Sequence, residues 1–348
     1  MNQPIKVAIS SFGLSGQAFH GPSLKVNSGF EVVQVLERSK DLSQSLFPDA
    51  EIVRNFEEIV NNSAVELVIV NTPDYLHFEM AKQVINAGKH LVVEKPVAQK
   101  SAEAAELVQL AKEKGVVFSV YQNRRLDGDF LTVKKILEQG NLGRLVEFES
   151  HFDRYRTYIT PDTWKEEGDE YIGVLHNLGS HMVDQAYVLF GKPSSVNANL
   201  KIVRTGGNVA DYYDIRLGYE NFAAILKCSY LVMYPGPRYS LYGEYGTFHK
   251  WGIDPQEDVL RTGTLPQGPD WGKEAESEWG KIIYERDGVK FLGKVETIQG
   301  NYPFYYKNLY EAIRKGKELL VKPEETVEVL EILEACLESN RKKKMINL

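Results

Sequence analysis

The stretch "IKVAISSFGLSGQAFHGP", residues 5–22, decides the fold. Its opening is almost continuously apolar, as in a strand buried on both faces. A glycine-containing loop then leads into a helical pattern. Aligned on the dinucleotide fingerprint G-x-G-x-x-G, it runs S-F-G-L-S-G from Ser11 to Gly16. Gly13 would let the backbone approach a pyrophosphate, and Gly16 would let the helix pack close to the strand. Amides at the helix start would hold the phosphate charge. Ser11 replaces the first glycine, so the loop alone is a weak signal; its place at a first β-α turn strengthens it.

Working outward, apolar runs alternate with helical patterns: "FEVVQVL", a helix near 55–61, "VELVIV", a helix near 75–87, "HLVVE", a helix from Ser101, then "VVFSVY". Repeated β-α units imply a parallel sheet with right-handed crossovers. Residues 1–121 are therefore expected to form a doubly wound Rossmann domain. After that the pattern changes. A helix is expected in "DFLTVKKILEQG", a strand in "RLVEFESHFDRY", and neighbouring strands of a mainly antiparallel open sheet in "YYDIRLGY", "FAAILKCSYL" and "RYSLYGEYGTFHK". This predicts an α+β domain over 122–348, whose final helix can pack back on the first domain. Residues 252–300 read as long excursions, and two helices close the chain.

The 348 residues suit about two domains. Hydrophobic residues at 43% and charged residues at 26% match a globular protein, and no run is long enough to span a bilayer. No secretory signal opens the chain, so a cytoplasmic location is expected. The net charge of −7 gives no electrostatic reason to expect nucleic acid or an anionic membrane as partner. Cys228 and Cys336 lack paired spacing and read as small core residues.

At the end of the second strand stands "VLERS". A carboxylate here, Glu37, accepts hydrogen bonds from the ribose hydroxyls of NAD and repels a 2′-phosphate; an arginine, Arg38, can pair with the 2′-phosphate of NADP. The carboxylate tilts the reading towards NAD, with NADP left open.

Four further motifs carry a resemblance: "TPDYLH" (72–77), "EKP" (94–96), "YQNRR" (121–125) and "LGSHMVDQ" (178–185). With the glycine loop, this ordered set resembles the Gfo/Idh/MocA oxidoreductases along essentially the whole chain, most closely the branch that includes NADP-dependent scyllo-inositol dehydrogenases. The resemblance implies hydride exchange between a nicotinamide and an alcohol carbon of a sugar or cyclic polyol such as an inositol. It also implies a homodimer or homotetramer built through the C-terminal sheet, and commonly a cis bond before the proline of E-K-P. Its catalytic group carries over to Lys95, to His181, and to Asn177 where Asp is usual.

The chemistry supports these residue types independently. Oxidising a secondary alcohol needs a base for the hydroxyl proton, met by His181, and positive charge beside the developing alkoxide, met by Lys95. Cofactor contacts are expected from Phe12, Gly13, Leu14, Ser15 and Gly16, then Glu37, Arg38, Thr72, Pro73, His77, Glu94, Lys95 and Asn123. Substrate contacts are expected from Lys95, Arg124, Tyr155, Trp164, His176, Asn177 and His181. Arg156 lies beside Tyr155 in the same aromatic and basic segment, which could close over a polyol or simply pack.

In the stretch "GVLHNLGSHMVDQ", residues 173–185, His176 and His181 are five apart. On an α-helix they diverge by about 140°, so joint metal ligation is disfavoured and no metal is expected. Asn177 and His181 share a face, as do His181 and Asp184, which could orient the imidazole. Two other readings stay open: a non-catalytic dinucleotide-binding regulator on the same fold, with Asn177 marking lost catalysis, and a glycosidase that uses NAD transiently.

Overall fold

The computed structural model describes residues 3–161, 163–168 and 170–348, with the backbone alone at Trp164. The chain forms two compact units. The first comprises Met1–Asp127, Pro255–Gly272 and Gly300–Val327; the second comprises Gly128–Asp254, Lys273–Gln299 and Glu328–Leu348.

The first unit holds a parallel six-stranded sheet: β1 (Ile5–Ile9), β2 (Phe30–Leu36), β3 (Glu51–Val53), β4 (Leu67–Val70), β5 (His90–Val93) and β6 (Phe118–Val120). Its order, β3-β2-β1-β4-β5-β6, is that of a Rossmann fold, with the chain reversing direction across the sheet between β1 and β4. Helices α1 (Gly21–Lys25), α2 (Phe56–Asn61), α3 (His77–Asn86) and α4 (Ser101–Lys114) link the strands. The continuous apolar runs are explained by burial: every residue of β4 is fully enclosed. Asn55 and Glu58 form a reciprocal capping box at the start of α2, and α4 ends at Gly115 with φ of 64°.

The second unit holds a nine-stranded sheet: β7 (Leu145–His151), β8 (Ser195–Lys201), β9 (Tyr212–Gly218), β10 (Ala223–Ser229), β11 (Tyr239–Gly243), β12 (Gly246–Lys250), β13 (Gly280–Arg286), β14 (Val289–Val295) and β15 (Ile346–Asn347). Its order is β14-β13-β12-β11-β7-β10-β9-β8-β15, antiparallel except between β7 and β10. Helices α5 (Gly128–Gln139) and α6 (Ser180–Phe190) belong to it. Phe148, Tyr239, Leu241 and Phe248 are buried from three adjacent strands, β7, β11 and β12, whereas Ile283, Phe291 and Leu292 are exposed at the other end of the sheet.

Two expectations need correction. The segment 252–300 is not simply an excursion, because β13 and β14 form a regular hairpin within it. Its Asp287-Gly288 turn has both residues at positive φ, 53° and 75°, as a tight two-residue hairpin demands. The division at residue 121 also misses that the chain returns twice to the first unit, with α7 (Gln256–Arg261), then α8 (Pro303–Lys315) and the start of α9 (Pro323–Lys342). The cause in α8 is an aromatic stripe at helical spacing. Tyr305 meets Tyr121 at 4.9 Å and Tyr306 meets Phe30 at 5.6 Å, while Tyr302 donates to Asp127 at 2.7 Å.

Candidate active site

The glycine loop is built without any positive φ between Ser11 and Gly16, which is why serine can stand at the first position without strain. Asn71, at the end of β4, holds the loop. Its amide donates to the Ser11 carbonyl at 2.8 Å and to Ser15 Oγ at 3.0 Å, and its backbone N–H donates to Ser10 Oγ at 3.1 Å. The two glycines differ in kind. A Cβ at Gly16 would lie 2.6 Å from the Ser11 carbonyl oxygen, so the helix approaches the loop too closely for a side chain. A Cβ at Gly13 would meet nothing nearer than Ser11 Oγ at 3.6 Å, and Gly13 and Leu14 are exposed. Phe12 is buried, Ser15 partly so, and the helical run begins at Leu14. Open backbone above a helix start fits a dinucleotide diphosphate.

Glu37 is buried, and its carboxylate accepts the backbone N–H groups of Leu42 at 2.9 Å and Ser43 at 2.8 Å. It therefore caps the short helix Leu42–Ser45 of its own loop. Arg38, Ser39 and Lys40 are exposed.

Lys95 follows β5 and is partly exposed, and its bond to Pro96 is cis. Glu94 accepts the Lys95 backbone N–H at 3.2 Å. Burial alone would raise the Glu94 carboxyl, but the hydrogen bond from His20 and the nearby Lys95 and His77 more than offset this and leave it below its ordinary value. His77 is buried, with Nδ1 2.7 Å from the Pro96 carbonyl oxygen and Nε2 2.8 Å from that of Thr72. Its ring ties the loop after β4 to the turn after β5, while Thr72 Oγ1 faces the Met80 sulfur and Pro73 precedes the short helix Asp74–Leu76. Asn123 is buried at the start of the helix Asn123–Leu126. Arg124 is directed into ion pairs with Asp127 at 3.1 Å and Glu257 at 2.5 Å, which anchor α7.

The second unit carries the remaining candidates. Leu175–Gly179 is a π turn, with the Ser180 N–H donating to the Leu175 carbonyl, and α6 follows it directly. Hydrogen bonds from i to i+5 put more residues into the turn, so the 140° expected between His176 and His181 on an α-helix does not apply; the turn narrows it. Both histidines are buried, and His176 lies 5.6 Å from the ring of Tyr171. Asn177 is exposed and hydrogen-bonds Tyr230. Asp184 is buried. Among the described residues, no group of three or more His, Cys, Asp or Glu is arranged to hold a metal ion.

Tyr155 is exposed and bridges to Leu231. Arg156 reaches Thr160 and Glu166 and lies over Tyr158. Glu166 in turn takes Arg204, which Asp211 holds from the other side, each at 2.7 Å. This buried cluster fixes the segment that carries Tyr155. The side chain of Trp164 lies outside the described residues.

Three residues escaped sequence reading: Asn71, His20 and Tyr230. Asn71 stands directly before Thr72-Pro73 at a strand end, a place where polar residues face a ligand loop, and this signal was available. His20 meets Tyr306 across 286 residues of chain, so no local pattern could pair them.

Residues 5–122 match the family profile described as an oxidoreductase family NAD-binding Rossmann fold, and residues 134–348 match its C-terminal α/β domain. The chain is 40% identical over 344 residues to scyllo-inositol 2-dehydrogenase (NADP(+)) IolW of Bacillus subtilis, covering 99% of this chain and 96% of that one. The solved structure of yvaA from Bacillus subtilis superposes with a TM-score of 0.97 at 40% identity, over 100% and 99% of the two chains. A solved structure from Bacteroides fragilis gives 0.91 at 44% identity, over 99% and 100%. The chain therefore belongs to the Gfo/Idh/MocA oxidoreductase family, as a dehydrogenase with an NAD(P)-binding Rossmann domain.

Proposed function

We propose that the protein is an NADP-preferring dehydrogenase that interconverts a secondary alcohol and a ketone on a cyclic polyol or sugar. The observation that carries this reading is Lys95, a partly exposed cation in a cis turn directly after β5, at the carboxyl edge of the Rossmann sheet where such sheets place their ligands. A bound nicotinamide supplies the acceptor for the carbinol hydrogen as hydride. His181 takes the hydroxyl proton, and the Lys95 ammonium stabilises the negative charge that develops on oxygen. Asn177, in the position where the family resemblance puts an aspartate, adds no charge beside His181. Tyr155, Trp164 and His176 are assigned to the hydroxyls of the substrate, whereas Arg124 is assigned to holding α7.

The inositol-like substrate class is supported by the Bacillus relative, whose name specifies scyllo-inositol and NADP(+). NADP is supported by the loop after β2. The Glu37 carboxylate is engaged by two backbone amides, so it is less available to ribose hydroxyls and less repulsive to a phosphate, while Arg38 is exposed beside it. The face of the second sheet bearing Ile283 and Leu292 is proposed to meet a second copy of the chain.

The test is absorbance of reduced nicotinamide with NADP or NAD across inositols and aldoses. Turnover on a cyclic polyol, lost in Lys95→Met and His181→Ala, is expected. Cofactor binding without turnover on any member would sink the reading in favour of a regulator, and sugar hydrolysis without net reduction would do so in favour of a glycosidase.

A further inference from the structure

We propose that His20 is a positioning residue for Lys95, acting through Glu94. This rests on the reading that Lys95 acts in the chemistry, and it concerns a histidine with no part in that reaction. His20 is fully buried at the end of a π turn, Gly16–His20, closed by the Gly21 N–H on the Gly16 carbonyl. Its Nε2 lies 3.1 Å from Glu94 Oε1 and its Nδ1 lies 2.6 Å from Tyr306 Oη.

Donor and acceptor roles follow from the partners. The Glu94 carboxyl is held below its ordinary value, so it is an acceptor. Nε2 must then carry a hydrogen and donate to it. Burial pushes the Tyr306 phenol well up, so the phenol keeps its hydrogen and donates to Nδ1. The result is a single directed chain: Tyr306 O–H to His20, His20 N–H to Glu94 Oε1, and the Lys95 backbone N–H to Glu94 Oε2. This arrangement gives every member of the chain a partner.

The other titratable groups near this chain are Tyr121, whose ring lies 4.4 Å from His20, and Tyr305, which packs on Tyr121. Both phenols are raised by burial. On the far side of Lys95, His77 meets the Pro96 carbonyl. The residues on either side of Lys95 are thus each fixed by a buried histidine, one from the helix after β1 and one from the helix after β4. The side chain between them is aimed by groups that never touch substrate, the arrangement known for outer partners of reactive ligands.

The experiment compares His20→Leu, His20→Gln and Tyr306→Phe with the wild type in two readouts. The first is the acylation rate of the Lys95 amine without cofactor or substrate, quantified by mass spectrometry against exposed Lys290. The second is kcat and KM on the substrate found above. His20→Leu and Tyr306→Phe are expected to change Lys95 labelling by about threefold or more, and to lower kcat by about tenfold at little cost in KM. His20→Gln, which keeps a donor towards Glu94, is expected to recover most of both. A folded His20→Leu, or Tyr306→Phe if the former does not fold, with wild-type Lys95 labelling and kcat overturns the proposal. Retained turnover in Lys95→Met would instead overturn the reading of Lys95, and the labelling result still judges the positioning on its own.

Discussion

Asn177 hydrogen-bonds the phenol of Tyr230, where the family pattern has an aspartate. The Tyr230 ring in turn lies 5.0 Å from the Arg204 guanidinium and 5.9 Å from that of Arg156. Burial raises this phenol, so a neutral amide faces a neutral hydroxyl. A carboxylate four residues before His181 would stabilise the imidazolium; the amide does this much less. Asn177→Asp is therefore expected to move the basic midpoint of the pH–rate profile for alcohol oxidation upward by about one pH unit. Superimposable profiles would refute it.

On the proposed NADP preference, Arg38 and Glu37 in the loop after β2 have separate roles. Arg38→Ala should reduce kcat/KM for NADP by about tenfold to a hundredfold and leave NAD within a small factor. Glu37→Ala should lower stability by about 1–3 kcal/mol, since the Leu42 and Ser43 amides lose a charged acceptor. Urea unfolding and the NADP/NAD ratio, measured on both variants, check the separation. A ratio that responds to Glu37 more than to Arg38 contradicts it.

Leu292 is 81% exposed and pairs across the hairpin with Ile283, itself 45% exposed. Leu292→Glu places a charge on this face. The expected outcome in light scattering is a smaller particle than the wild type, with the monomer fold intact by circular dichroism. A wild type that is already monomeric removes the proposal of a second copy.

Arg204 is 1% exposed between Glu166 and Asp211. Arg204→Met takes from the buried Asp211 carboxylate its ion-pair partner and leaves Glu166 with Arg156, at an expected cost of about 3–5 kcal/mol. Protease sensitivity should rise within residues 153–172 first. Cleavage that begins elsewhere would show that the cluster does not anchor this segment.

Arg314 hydrogen-bonds Glu66 and lowers its carboxyl below 4.5, against the opposing effect of burial. A depressed carboxylate contributes stability above its unfolded value, and that contribution fades as pH falls through the folded value. The pair is partly exposed, so screening limits it to about 0.5 kcal/mol. Glu66→Gln should therefore unfold slightly earlier than wild type at pH 7 and indistinguishably near pH 3. A gap that widens in acid would contradict the sign.

The sequence made the first sheet legible because both faces of its strands are buried: "VELVIV" and "HLVVE" are continuous apolar runs, and the turns between units are short. The β13–β14 hairpin was harder, because its outward residues are apolar too and give no alternation, yet the Asp287-Gly288 pair was a usable sign. Lys95 and His181 were visible as motif members. The capping role of Glu37 was not legible, since its partners, five and six residues on, are backbone amides and carry no side-chain signature. The aromatic stripe of α8 announced a buried helix face but not which sheet would bury it.

The two π turns, Gly16–His20 and Leu175–Gly179, each contain or precede a histidine of interest and each hold one residue more than an α turn would. Their lengths are therefore as constrained as their side chains. Deleting one residue from Gly16–His20 would close the widened turn into an ordinary α turn and take out one of the residues that link the glycine loop to His20. In comparisons among relatives, a one-residue gap at either turn should count as a change of function, where elsewhere on a surface helix or loop it would pass as drift.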